Sequence, residues 1–371
     1  MKFLFLVQGE GRGHMTQAIS FAKLVRTQGH TVCGVVLGKS KRRAIPDFFK
    51  REISAPIHWI PSPNFVCDKN EKRISLSKTI TKNLIQTPKY LLSLWQIHQV
   101  VQNHQPDIIV NFYDQLGGLY NLIFRPKAEY WVIGHQYLVN HSEFLFPEGK
   151  SLEKSLFKLN TQITSLGAKT QLALSFERLK SEGKTQVVPP LLRPEINFLE
   201  PTSGDFLLTY MVNPGYAEDV IEYAKQVPDQ GIKVYWDKKD AAETVQALPN
   251  LTFHQVNDKS FLQDMATCKS LVCTAGFESV CEAMYLGKQL MVIPVEGQYE
   301  QACNALEIQH RKIGITSSCF DFSLLENKAM EQTKTPQEFI QWQNSWGEIL
   351  QNLLTKEQTS WETSSPALEI G

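Results

Sequence analysis

Short, continuously apolar runs alternate along the chain with longer segments in which apolar residues recur every three or four positions. Residues 3–7, 31–37, 57–60, 107–111 and 130–133 are runs of the first kind, bounded by Gly, Pro, Asn or charged residues. Their shortness and lack of polar alternation predict strands buried on both faces, as in a parallel sheet. Between the first two, Ala18, Ile19, Phe21, Ala22, Leu24 and Val25 make an i, i+3, i+4 stripe that stops at Gly29. Such a stripe is the buried face of a helix, so strand, loop, helix and strand form a βαβ unit.

The same rhythm restarts after residue 204. Strands are predicted at 205–211, 232–236, 251–256, 270–273 and 290–293, with helices at 216–226, 261–268 and 279–286. The fold class is therefore α/β, with two Rossmann-like doubly wound domains: residues 1–188 and residues 205–334. The linker, 189–204, lies within the four-proline stretch VVPPLLRPEINFLEPTSG. An amphipathic helix over 335–354 follows, with Thr335 as N-cap and Pro336 at its first position, and packing back onto the first domain is one place for it. Polar residues 356–371 read as a disordered tail.

Composition adds three constraints. At 371 residues with 42% hydrophobic content the chain can bury two cores. Its zero net charge hides an asymmetry: residues 1–200 hold 26 Lys and Arg against 15 Asp and Glu, and the remainder 12 against 23. A basic first half suits an anionic membrane surface or an anionic substrate, or is a solvated face. The basic, apolar segment KSKRRAIPDFFKRE, residues 39–52, is the candidate membrane rim. Seven cysteines without a Cys-x-x-Cys pair fit a reducing compartment. The apolar run after Lys2 is too short for a signal peptide, and no stretch reaches the roughly 20 apolar residues of a membrane span. The expected location is cytoplasmic, with peripheral contact at the inner membrane face, and nucleic acid is not an expected partner.

Two stretches carry chemistry. The first strand runs into QGEGRGHMTQA, Gln8 to Ala18, whose alternate glycines suit either a phosphate at a helix N-terminus or a tight turn. The dinucleotide fingerprint is incomplete: His14 stands where a third glycine belongs, and residues 37–40, Leu-Gly-Lys-Ser, lack the acid that follows the second strand. A nicotinamide-linked oxidoreductase is disfavoured. The second stretch runs from Cys273 to Ala305, where a strand ends, Gly276 permits a turn, and a helix begins near Ser279. Its free N–H groups suit a diphosphate. Glu282, one turn in, either accepts ribose hydroxyls or is a first-turn acid favourable to the helix dipole.

The Cys273 to Ala305 stretch resembles the donor-binding region of GT-B fold glycosyltransferases, particularly the branch containing the peptidoglycan-pathway N-acetylglucosaminyltransferase and its relatives. The resemblance rests on Ala275-Gly276, Ser279, Glu282-Ala283, Leu286-Gly287-Lys288, Val292-Ile293-Pro294, Gln298-Tyr299-Glu300-Gln301 and Asn304-Ala305. It implies two domains facing a central cleft and transfer of a sugar from a nucleotide-diphosphate donor, commonly a UDP-sugar, to a carbohydrate or lipid-linked acceptor of the cell envelope. It also implies that Glu282 binds ribose, that Glu300 and Gln301 grip the donor sugar, and that Gly276, Phe277, Glu278 and Ser279 hold the diphosphate. Arg193 is a candidate cation near the phosphates. The opening loop, with Gly11, Arg12 and Gly13, moves to the acceptor side, where His14 is the candidate general base. Asp114 and His135, each just past a strand of the same sheet, either orient His14 or replace it.

The sequence also departs from that family. The glycine-rich loop opening the second domain is replaced by YMVNPGYAED, leaving Asn213 and Gly215 as phosphate contacts. No Asp-x-Asp occurs, and Thr274 stands eight before Glu282 where retaining enzymes carry a glutamate. The implied reaction is an inverting displacement without metal or cofactor, the nucleotide-sugar being a co-substrate. A GT-B-like sugar-nucleotide epimerase and a non-catalytic sugar-nucleotide-binding protein are the alternatives.

Overall fold

The computed structural model describes residues 1–39, 47–64, 76–211, 214–238, 241–327 and 336–364. Its first sheet comprises β1 (Lys2–Val7), β2 (Thr31–Lys39), β3 (Ile57–Pro61), β4 (Ile108–Phe112), β5 (Glu129–Gly134), β6 (Thr170–Leu174) and β7 (Thr185–Val188). The strands lie in the order β3-β2-β1-β4-β5-β6-β7 and every neighbouring pair is parallel. The second comprises β8 (Phe206–Met211), β9 (Gly231–Trp236), β10 (Thr244–Leu248), β11 (Leu251–Gln255), β12 (Ser270–Thr274), β13 (Gln289–Ile293) and β14 (Ile315–Thr316). Their order is β10-β11-β9-β8-β12-β13-β14, with β10 antiparallel to its neighbour. The α/β fold of two doubly wound sheets is thus observed.

Helices cover the sheet faces: α1 (Arg12–Thr27), α2 (Asp47–Ile53), α3 (Leu76–Ile85), α4 (Thr87–His104), α5 (Gln115–Phe124) and α6 (Ser151–Thr164) in the first half. The second half adds α7 (Ala217–Gln226), α8 (Asp258–Thr267), α9 (Phe277–Tyr285), α10 (Tyr299–His310), α11 (Ser323–Asn327), α12 (Pro336–Asn344) and α13 (Trp346–Ser364). Parallel neighbours need such crossovers, and helices on both faces bury the strands completely. Phe3, Leu4 and Phe5 of β1 have no exposed surface. One apolar core runs from Phe5, Phe21 and Phe112 through Leu191 and Leu192 to Leu271 and Phe277, so both sheets share it.

Several expectations are corrected. β6, β7, β10 and β14 escape the apolar pattern because they are short, open on Thr, or, like β10, alternate along an exposed edge. The single helix over 335–354 is two: α12 ends at Asn344 and α13 continues to Ser364, through much of the expected disordered tail. No Gly or Pro interrupts residues 348–364, so polarity alone did not prevent a helix. Thr335 and Asn213 lie outside the described residues, as do 40–46 of the basic segment. Phe49 of that segment is fully buried against α1, which removes it from any membrane rim. At the C-terminus, Trp342 Nε1 donates to Ser175 O (3.2 Å) and Trp346 Nε1 to Pro189 O (2.9 Å), joining these helices to the end of the first sheet.

Candidate active site

Between the sheets lies a cavity of about 260 Å³ lined from both sides. Strand order reverses between β1 and β4 in the first sheet and between β8 and β12 in the second. Open α/β sheets bind ligands at the carboxyl ends of the strands flanking such a reversal. Gln8 follows β1, Tyr113 follows β4, Tyr210 belongs to β8 and Thr274 closes β12; all four line the cavity.

The loop after β1 is folded by Gln8, whose Oε1 accepts from the backbone N–H of Glu10 and of Gly11, each at 3.1 Å. Its three glycines serve different purposes. A Cβ on Gly9 would lie 1.7 Å from Gly38 O on β2, so Gly9 lets two backbones pass. Gly11 is the N-cap of α1 in an extended conformation, without a side-chain cap. A Cβ on Gly13 would lie 2.2 Å from Glu278 Oε2, across the cleft. None of the three has a positive φ, so close approach, not left-handed backbone, requires glycine at Gly9 and Gly13.

His14 stands in the first turn of α1 with its ring stacked on Tyr113, 5.7 Å between centroids and 24° between planes. Burial lowers its pKa to about 4, with Gln17 opposing, so the imidazole is neutral at pH 7. Its Nδ1 is enclosed and has no hydrogen-bond partner. Tyr113 itself adopts φ 62°, an uncommon conformation for a bulky residue, and its hydroxyl meets Thr161 Oγ1 at 2.8 Å. Nothing in the sequence marked Tyr113 beyond its place before Asp114.

Asp114 is not among the residues lining the cavity. It is the N-cap of α5, accepting from Leu116 N–H at 2.8 Å and from Ser62 Oγ at 2.7 Å. Burial nonetheless raises its pKa to about 6. The acid expected to orient or replace His14 is engaged with the backbone instead. His135 does line the cavity. Burial lowers its pKa, yet Glu307, with Oε2 3.4 Å from its Nε2, and the Leu174 carbonyl at 2.8 Å from Nδ1 outweigh burial and the net shift is upward. The Phe277 ring stacks on it at 4.2 Å, a contact between the two domains.

The facing wall starts at Gly276, the uncapped N-cap of α9, so this helix begins two residues earlier than expected. Glu282 is 2% exposed and bound bidentately by Arg193, Nε to Oε1 at 2.6 Å and Nη2 to Oε2 at 2.7 Å. Arg193 therefore neutralises Glu282 as well as lining the cavity. Glu278 lies in the first turn of α9 beside Ser279, with Gln17 Nε2 donating to its Oε1. Glu300 and Gln301 occupy the first turn of α10, not a loop. The buried face of that helix carries Gln301, Asn304 and Glu307, which hid its periodicity. Gln136 Nε2 donates to Glu300 Oε1 at 2.8 Å from the first domain, and Gln301 Oε1 accepts from Val295 N–H at 2.9 Å. Arg12 Nη2 lies 3.8 Å from Asp237 Oδ2, a further link across the cleft. Gln17, Gln136 and Thr274 complete the lining; polar residues buried inside otherwise apolar patterns are their only sequence signal.

A glycosyl transferase family 1 model matches residues 1–331. The chain belongs to that family. It is thus a glycosyltransferase, and its two facing sheets are the GT-B fold. Phytolacca americana UGT2, complexed with UDP-2-fluoro-glucose and pterostilbene, superposes with a TM-score of 0.63 at 11% identity, covering 96% of this chain and 99% of that one. Acinetobacter baumannii MurG gives 0.54 at 14% identity over 96% and 99%. The spinosyn rhamnosyltransferase SpnG, complexed with thymidine diphosphate, gives 0.59 at 12% identity over 95% and 100%. No curated protein matches the chain in sequence. Within this transferase, the cavity gathers His14, His135, Arg193, Glu278, Ser279, Glu282, Glu300 and Gln301 from both domains, together with Gly11, Arg12, Gly13, Gly276 and Phe277. Of the expected residues, Asp114 stands outside it, as does Gly215, the described one of the two expected phosphate contacts that open the second domain.

Proposed function

We propose that this glycosyltransferase moves a sugar from a nucleoside diphosphate donor to a hydroxyl acceptor by a metal-independent, inverting displacement with His14 as the base. The observation that carries the reading is a ring of enclosed polar atoms without partners, His14 Nδ1, Gln136 Oε1 and Thr274 Oγ1, between two uncapped helix N-termini. A polyhydroxylated ligand with an anionic tail supplies what these groups lack.

In this reading the diphosphate lies at the N-terminus of α9, whose amides and dipole stabilise it as it departs. The base rests against Tyr210, Val256 and Phe261, an aromatic and aliphatic corner with Tyr210 and Phe261 rings 5.3 Å apart. Glu282 keeps the lone pairs that Arg193 does not use for the ribose, and Glu300 and Gln301 face the sugar. Acceptor hydroxyls meet Asn64, Thr79, Asn83, Gln115 and Asn160 on the first domain. His14, neutral and partnerless at Nδ1, takes the proton as the acceptor oxygen attacks the anomeric carbon. That UGT2 is described with a UDP-sugar and SpnG with thymidine diphosphate supports a pyrimidine donor.

The acceptor is proposed to sit at an anionic membrane surface. Leu84, Ile85, Leu91, Leu92, Trp95 and Ile123 are each at least half exposed on the consecutive helices α3, α4 and α5. Residues 72–106 contain five Lys and Arg and no Asp or Glu. Apolar side chains on helices whose charges are Lys78, Lys82 and Lys89, without an acid on α3 or α4, suit anionic lipid, and Thr79 and Asn83 of α3 connect them to the cavity. No helix among the described residues is long and apolar enough to cross a membrane.

A thermal-shift screen of nucleoside diphosphates and nucleotide sugars tests the donor site. The matching nucleotide raises the melting temperature, by about 2.7 kcal/mol of stability at a hundredfold excess over Kd, and Glu282→Ala removes the response. If no nucleotide stabilises the wild type, or the variant responds equally, the donor assignment is wrong. Release of nucleoside diphosphate only when acceptor is present separates transfer from epimerisation.

A further inference from the structure

Two helix N-termini open into the cleft, and a carboxylate stands between them. Neither N-cap, Gly11 of α1 nor Gly276 of α9, closes its helix with a side-chain hydrogen bond. Glu278 lies in the first turn of α9, Gln17 reaches its Oε1 from α1, and the missing Cβ of Gly13 leaves the space for its Oε2. Free N–H groups and the positive ends of two dipoles make this a place for an anion. Two other side chains lining the cavity await a ligand: Thr274 Oγ1 and Gln17 Oε1 are enclosed and without partners, in residues 1% and 2% exposed.

We propose that Glu278 occupies the diphosphate site of the empty enzyme and gates it through a proton: the nucleotide binds with Glu278 protonated, so each binding event above neutral pH takes up one proton from solution. This rests on reading the cleft as a nucleotide-sugar site. The proton goes to the Glu278 carboxyl, which then donates its O–H to a phosphate oxygen instead of repelling it. Gln17 is released from the carboxylate and turns its amide to the ligand.

The surroundings favour such a gate. The charged and titratable groups around Glu278 are Arg12 and His14 of α1, Glu282 of α9 with its partner Arg193, Glu300 of α10, and His135. Arg193 is committed to Glu282, Arg12 faces Asp237 at 3.8 Å and His14 is neutral, and the side chain that reaches the Glu278 carboxylate is Gln17, an amide and not a cation. Burial, then the Glu300 and Glu282 charges, push its pKa up to about 7 against hydrogen bonds from its own backbone N–H and from Gln17. A bound diphosphate adds negative charge and pushes it further. By linkage, Kd then rises as pH climbs above the free-enzyme value, up to tenfold per pH unit.

Isothermal titration of UDP, dTDP and GDP into the wild type and Glu278→Gln between pH 7 and pH 8.5 tests this, because the terminal phosphate, with a second pKa of about 6, is mostly ionised over that range and what remains of its titration is common to both proteins. For the diphosphate that binds, wild-type Kd should weaken about tenfold over the interval while the variant stays flat. At pH 8, titrations in two buffers of different ionisation enthalpy should show close to one proton taken up by the wild type and none by the variant. A flat wild-type Kd, or equal slopes in both proteins, overturns the gate and leaves the donor site standing. If none of the three diphosphates binds either protein, the donor reading fails and the gate with it.

Discussion

His14 and Asp114 sit one after β1 and one after β4, yet the structure gives them unlike work. His14 keeps an unpartnered Nδ1 in the cleft, whereas both Asp114 oxygens are engaged by Leu116 and Ser62. His14→Ala should lower kcat by about 10²–10⁴-fold, the usual range for loss of a general base, with donor affinity retained in the thermal-shift assay. Burial holds the imidazole pKa down at about 4. The group therefore stays able to accept a proton well below pH 6.5, and the acid limb of kcat/KM should lie near pH 4. A limb near 6.5 that survives in His14→Ala would assign the base elsewhere. Asp114→Ala should lose about 1 kcal/mol of stability through the missing cap. Asp114→Asn, which keeps an acceptor for Leu116 N–H, should match the wild type in melting and in turnover; an inactive but stable Asp114→Asn would restore the carboxylate to the mechanism.

At the scale of elements, the site is made by the approach of α1 to α9 and of β1 to β2. Gly9 and Gly13 are the contacts that permit it, and they fail differently. The atom opposing Gly9 is the backbone oxygen of Gly38, which moves only with the strand. Gly9→Ala should destabilise the protein by about 1–3 kcal/mol, the usual cost of overpacking, seen as a lower denaturation midpoint. The atom opposing Gly13 is the end of the flexible Glu278 side chain. Gly13→Ala should melt close to the wild type and bind nucleotide more weakly, and a large melting loss would show that the Glu278 side chain is fixed. The alternate glycines of the opening loop were legible in sequence, but their partners, Gly38 and Glu278, are 29 and 265 residues away and no local pattern marks them. The helix carrying Glu300 and Gln301 was missed for a related reason: its inward face mixes the core residues Cys303, Ala305 and Ile308 with Gln301 and Glu307, which meet Val295 and the first domain's His135.

At the scale of the molecule, the charge asymmetry between halves resolves into a local feature. The segment chosen from sequence for membrane contact buries Phe49, while most of the exposed large apolar side chains among the described residues stand on α3, α4 and α5. Co-flotation with anionic vesicles should be clear for the wild type, absent with neutral vesicles, and lost in the double variant Leu91→Asp, Trp95→Asp with unchanged melting. Retention of binding by that variant would move the contact elsewhere. The domains are also tied by polar contacts that no sequence pattern announces: Arg193 on Glu282, Gln136 on Glu300 and Gln17 on Glu278.

The sequence by itself determined the two α/β units, most of their strands, the turn at Gly276 with a helix after it, and the acids that follow it. These depend on neighbours within a turn or a strand, where the alternation of apolar and polar positions reports burial directly. Only the tertiary structure decided which polar groups remain free in the cleft. It set Asp114 to capping α5, put Glu307 beside His135, clamped Glu282 with Arg193 and brought the Glu278 carboxylate between the N-termini of α1 and α9. Protonation and hydrogen bonding answer to the groups brought together across the two domains, and their spacing along the chain carries no record of that distance.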